Sequence, residues 1–213
     1  MATEPSTAPG YLILLVKMFG YDPFWRRLRF PAQFTLHHLH QAIQSVTLFG
    51  GYHLHQFIAR DGQHYASEVK KGSAFDLKRC HLEQETAAGE VLREKGDTIQ
   101  YDYDFGDNWE FSILVEKWEP LPAGEAAHVT CLGGEAAGPV EDCGGVDGFL
   151  YILETLAGSD KKKKKDLAWK CEGYDPNLFD VEMANLGLAR IKGPRITKTR
   201  KKKKSPDETV SGE

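Results

Sequence analysis

His53 and His55 stand two residues apart in a segment whose alternation predicts a β-strand, and alternate strand residues project to the same face. Two imidazoles so placed are what a divalent metal takes as neutral nitrogen ligands. Asp102 and Asp104 repeat that spacing in a second predicted strand, and Asp107 follows in the turn. If the two strands were close, the imidazoles and one or two carboxylates could hold zinc, manganese or iron and leave a position where water is activated. The same residues also fit polar positions on a half-exposed strand and a solvated hairpin face. His37 and His40, three apart on a predicted helix, pose the same alternative between a ligand pair and a polar helix surface.

Gly106-Asp107-Asn108 and Glu141-Asp142-Cys143-Gly144-Gly145 combine carboxylates with small residues. Such stretches build tight turns, and they also build cation-binding loops. In a hydrolytic site Glu141 or Asp142 would be the candidate base. Cys143 has acidic neighbours, which oppose the thiolate a nucleophile needs. Tyr101, Tyr103, Phe105, Trp109 and Phe111 form an aromatic set that reads as core. As a stacking platform for bases it would be bordered by Asp and Glu where phosphate requires Lys or Arg. No phosphate-binding Gly-Lys loop, dinucleotide fingerprint or Gly-x-Ser-x-Gly elbow occurs in the sequence, which removes several common enzyme classes.

These residues need elements to position them. Residues 11–19 are nearly continuously apolar, as in a strand covered on both faces. In 24–30, Phe24, Leu28 and Phe30 share one parity and Trp25, Arg27 and Arg29 the other, giving a half-buried partner strand. Thr35 is a good N-cap for a helix with Leu36, Leu39, Ile43 and Val46 on one side. Strands over 53–59 and at His64-Tyr65 follow around Asp61-Gly62. The order strand, strand, helix, strand, strand predicts an α+β fold with a mixed or antiparallel sheet and a β-grasp-like N-terminal part. A short helix is expected within 69–96, then an aromatic hairpin over 99–115. Residues 119–145 read as a surface excursion, 148–156 as a helix, Lys161 to Lys165 as a solvated loop, and 179–188 as a last helix capped by Asp180.

The length of 213 residues suits one domain. We expect that domain over 11–190, with disordered segments at 1–10 and 191–213. Residues 1–10 lack the basic stretch of a secretory signal, and the apolar run at 11–19 is far short of the roughly 20 residues that span a membrane. The four cysteines, Cys80, Cys131, Cys143 and Cys171, form no Cys-x-x-Cys pair. They read as reduced thiols of a cytoplasmic protein. Charge is segregated: residues 1–160 hold 12 Lys and Arg against 23 Asp and Glu, whereas 190–204 holds nine basic residues and no acidic one. Lys198, Arg200, Lys201, Lys202, Lys203 and Lys204 are therefore expected to attract nucleic acid weakly and without reading its sequence.

Several phrases read together, Trp25-Arg26-Arg27-Leu28, His53-Leu54-His55-Gln56-Phe57, Tyr101 to Asp107 with Trp109, Glu141 to Gly145, and Asp175-Pro176 with Phe179-Asp180, make the chain resemble the plasmid pRi ORF-3-like family of insertion-element passenger proteins. Phe111 stands where that pattern often has a His, and Val140 where it has a Pro. The resemblance implies an α+β domain of plasmids and mobile elements and brings no activity with it. Two functions are set against each other: a non-catalytic interaction or accessory module that binds a protein partner, and a metal-dependent hydrolase or nuclease using the His/Asp site, with a divalent metal as its cofactor.

Overall fold

The computed structural model describes residues 10–67 and 80–193. The basic run Lys198 to Lys204 and the segments 1–9, 68–79 and 194–213 lie outside these residues. Among the described residues eight strands form one sheet: β1 (Gly10–Met18), β2 (Trp25–Pro31), β3 (His55–Ala59), β4 (His64–Ala66), β5 (Cys80–Leu82), β6 (Thr98–Tyr103), β7 (Trp109–Pro120) and β8 (Thr130–Glu135). Their order is β5-β4-β3-β6-β7-β1-β2-β8. All neighbours are antiparallel except β4 and β5. The fold is α+β with a mixed sheet.

The apolar run of β1 sits between β7 and β2, with Leu12, Leu14, Val16 and Met18 all in the main core. Helix α1 (Leu36–Thr47) lays Leu36, Leu39, Ile43 and Val46 in that core, which also holds Tyr101, Tyr103 and Phe111. Its first turn is held by His38, whose Nδ1 accepts from the Thr35 backbone N–H at 3.2 Å. The aromatic hairpin is likewise core, because Tyr101, Tyr103, Trp109 and Phe111 have no solvent exposure. Phe105 departs from the set and is 40% exposed at the turn. Helix α2 (Ala88–Val91) is short, α3 (Gly145–Ala157) and α4 (Lys161–Cys171) follow the sheet, and α5 (Val181–Leu188) starts on an Asp180 cap that accepts from the N–H groups of Glu182 and Met183.

Two expectations need correction. Residues 119–145 are not one excursion, since they contain β8 paired to β2. Glycine concealed it: Gly133 and Gly134 offer no alternation, yet a Cβ at Gly134 would lie 2.5 Å from the Phe179 ring, so only glycine lets the strand approach. Lys161 to Lys165 is not a loop but the first turn and a half of α4. Asp160 caps it, Oδ1 accepting from Lys162 and Lys163, and lysine is a good helix former when nothing opposes it. All four cysteines are free. Among the described residues no helix is long and apolar enough to cross a membrane.

Candidate metal centre

The strand β3 pairs with β6 from His55↔Tyr103 to Ala59↔Ile99. Beyond that ladder one more bond, Asp104 N–H to Leu54 O at 2.9 Å, keeps the two chains together where they leave the sheet. There Asp104 turns to φ 55°, in the left-handed region. Its carboxylate accepts from the Gly106 N–H at 3.0 Å and its carbonyl from the Asn108 N–H at 2.6 Å, a local turn of the kind aspartate favours. The reversal ends the alternation that would have placed Asp104 beside Asp102. Asp104 Oδ2 comes instead to 3.5 Å from His53 Nε2.

The third side comes from residues 136–144, which follow β8. Gly138 packs so closely that a Cβ would lie 1.9 Å from Thr47 O. The Gly144 N–H donates to Asp107 Oδ2 at 3.1 Å, tying this loop to the hairpin turn. Glu141 is fixed through both oxygens, Oε1 by the Tyr103 hydroxyl at 2.6 Å and Oε2 by the Gly50 N–H at 2.8 Å. Asp142, at φ 56°, puts Oδ1 3.1 Å from His53 Nε2 while Oδ2 accepts from the Tyr52 hydroxyl at 2.7 Å. That hydroxyl bond, helped by the His53 ring and Lys170, holds the Asp142 carboxyl below its ordinary range. The same contact raises the Tyr52 hydroxyl. Burial first, and then Glu141, raises Tyr103.

Ligand atoms of His53, Asp104 and Asp142 all lie within 4.8 Å of one another. His53 Nε2 is itself buried and, among the described residues, has no hydrogen-bond partner of good geometry, although the Asp142 and Asp104 oxygens lie 3.1 and 3.5 Å from it. Two of the three carboxylate-bearing residues around it sit in left-handed backbone, a conformation that costs free energy and gathers at functional sites. One imidazole and two carboxylates suit zinc, manganese or iron.

The candidates read from the sequence divide accordingly. His53, Asp104, Asp142 and Glu141 come together, and Asp107 braces the loop beside them. His55 does not join His53: it points to the core side, its Nε2 2.9 Å from Glu83 Oε2 and its ring stacked on His40 at 3.6 Å. His53 precedes the strand, so strand parity does not govern it. Asp102 accepts from Gln56 and Gln100 at 2.8 Å each. His37 donates to Glu83 at 2.9 Å and His40 meets the Tyr101 hydroxyl at 2.7 Å, so this pair does not converge either. Burial and then Asp107 push the Cys143 thiol up to about 11. Sequence reasoning missed Tyr52 and Tyr103 as orienting groups, and Lys170, whose Nζ donates to the Asp142 carbonyl. Only adjacency to His53 could have pointed to Tyr52. Next to the centre, a cleft of about 590 Å³ opens between Leu48, Val140, Glu141, Lys170, Leu178 and Met183.

A family model for the plasmid pRiA4b ORF-3-like protein matches residues 13–183. The uncharacterized protein y4hQ of Sinorhizobium fredii (strain NBRC 101917 / NGR234) is 29% identical over 182 residues, covering 83% of this chain and 89% of that protein. The crystal structure of MM3350 from Methanosarcina mazei Go1, a protein of unknown function, is similar with a TM-score of 0.70 and 30% identity, covering 83% of this chain and 98% of that one.

Proposed function

The chain belongs to the plasmid pRiA4b ORF-3-like protein family, and from that premise we propose that His53, Asp104 and Asp142 form a divalent-cation site that serves hydrolysis. The observation that carries this is the buried, unbonded His53 Nε2 facing carboxylate oxygens at 3.1 and 3.5 Å. A cation held there would bring the pKa of a bound water toward neutrality. The chain's own groups do the rest. Tyr52 orients Asp142, and Tyr103 with Gly50 orients Glu141. Glu141 Oε1, 4.0 Å from His53 Nε2, is the carboxylate placed to take a proton from water. Asp142 is 55% exposed on its side chain, which leaves one side open to water and substrate.

Protein purified without chelator or affinity tag should contain about one equivalent of zinc, manganese or iron. Refilling a stripped sample at a hundredfold excess over Kd adds about 2.7 kcal/mol, a rise in Tm of roughly 5–10 °C for a chain of this size. Asp104→Asn, which tolerates the left-handed backbone, should remove that rise and leave the fold intact. Substoichiometric metal with no thermal shift for any of the three ions sinks the proposal.

The accessory-module reading draws on a different observation, the apolar rim of the cleft, where Leu48, Leu178 and Met183 are 85%, 64% and 63% exposed. Apolar side chains gathered at one opening suit a protein partner. A pull-down from the native host should recover a specific partner with the parent chain and lose it with Leu178→Asp/Met183→Asp. Recovery of nothing specific by the parent removes this reading.

A further inference from the structure

Helix α4 carries six lysines and one aspartate in its 11 residues, within a body that is otherwise acidic. It rests on the molecule by a narrow stripe in which only Cys171 is buried and Lys164, Leu167 and Lys170 are half-buried. The rest of its surface faces solvent. Lys162, Lys165 and Trp169 follow helical spacing and share one exposed face. Trp169 is 79% exposed, with Lys170 Nζ 5.3 Å from its ring centre. On the neighbouring α3, Tyr151 is 48% exposed and lies under Lys163 Nζ at 5.9 Å.

An exposed indole and phenol set among ammonium groups has a specific chemistry. The cations neutralise phosphates and release their counterions, and the flat rings stack on bases that have no partner strand. We infer that α4, with Tyr151 beside it, is a binding surface for single-stranded nucleic acid. Charge favours this occupant over a protein with an ordinary mixed surface. A lipid surface fits less well, because a membrane-lying helix needs a broad apolar face opposite its lysines. In α4 the residues opposite Trp169 already rest on the protein. Double-stranded DNA would use the lysines but give the rings nothing to stack on. The surface also leads toward the candidate metal centre, since Lys170 bonds to the Asp142 carbonyl. The inference does not depend on that centre holding a metal.

The test uses the full-length chain with Lys198, Arg200 and Lys201 to Lys204 replaced by Gln, so that the C-terminal run cannot bind. In chelator, fluorescence anisotropy should show it binding an oligodeoxythymidine of roughly 15 nucleotides, within the span such surfaces cover. The affinity should fall with salt at a slope of about −2, as three phosphates of a single strand require. Trp169→Ala should weaken binding about tenfold and Trp169→Phe much less, both with an unchanged thermal melt because the ring is exposed. Lys162→Gln/Lys165→Gln should flatten the salt slope by about 1.4, two phosphates' worth. Asp104→Asn should bind like its parent, which separates this result from the fate of the metal reading. The inference is overturned if the chain with the neutralised run does not bind. It is also overturned if Trp169→Ala binds equally well, if duplex DNA binds as tightly as the single strand, or if only anionic vesicles bind.

Discussion

Arg26→Met should lower the free energy of unfolding by about 4 kcal/mol, as expected when a buried charged donor is removed and its acceptors stay buried. Arg26 is wholly buried and, among the described residues, meets no carboxylate. Its guanidinium lies between the rings of Phe24 and Phe179, 4.2 and 3.6 Å from their centres. It donates to four carbonyls: Val46 at 3.0 Å, Trp25 at 2.8 Å, Glu135 at 2.6 Å and Ala136 at 2.8 Å. Burial pushes its pKa down to about 10, which still leaves it charged at neutral pH. The bonds join the end of α1, the end of β8 and the start of the loop that carries Glu141 and Asp142. A lysine has three donors from one point and no flat face, so Arg26→Lys should recover little of the loss. Denaturant titration at constant pH measures it. A midpoint within about 1 kcal/mol of the parent would show that the carbonyls find other donors and that this clamp is not what holds the loop.

Stability should fall by roughly 1 kcal/mol for each pH unit below about 6, and His40→Gln should remove most of that slope. His40 Nδ1 lies 2.7 Å from the Tyr101 hydroxyl, which accepts from the Gln44 side chain at 2.9 Å and so has its own proton to give to His40. The arrangement needs His40 neutral. Burial, and next the stacked His55 ring, push its pKa from 6.5 down to about 3. In the unfolded chain His40 takes up a proton near pH 6.5, and in the folded chain it does not until about pH 3. The unfolded state therefore binds more protons throughout that window, and acid favours it. Glu83 acts in the same direction. Burial alone would raise its carboxyl, but the bonds from His55 and His37 outweigh burial and leave it below its ordinary value. Its contribution is present above the unfolded value and is lost as pH falls through the folded one. Urea titrations from pH 7.5 to 5 test the His40 slope, and their continuation to about pH 3.5 reaches the range of Glu83. An unchanged slope in His40→Gln would place the acid sensitivity elsewhere.

The elements that were legible in the sequence are those with strong local period. Leu36, Leu39, Ile43 and Val46 repeat at helical spacing and all face the core, and the alternation of Tyr101, Tyr103, Trp109 and Phe111 marks a hairpin face because strand side chains must alternate. β8 was hidden, since Gly133 and Gly134 carry no pattern and owe their place to the ring of Phe179 and the register of β2. In β2, Arg26 falls on the buried parity with Leu28 and Phe30. What makes that tolerable is a set of carbonyls contributed by residues about 20 and 110 positions away, which no local reading supplies.

The site divides in the same way. The residue types and the family were carried by the chain itself: two histidines and two aspartates at strand spacing, a further aspartate in a turn, a Glu-Asp pair ahead of two glycines. Which of them meet was decided only by the tertiary structure. His53 and His55 part because one precedes the strand and the other lies within it, while Asp104 leaves Asp102 because its backbone turns to φ 55°. Asp142 reaches His53 across about 90 residues of sequence through the bond of its carboxylate to Tyr52. Local propensity acts over a few residues and sets elements and faces. Ligand geometry depends on sub-ångström placement of groups distant in the chain, which only the packed core and its long-range hydrogen bonds determine.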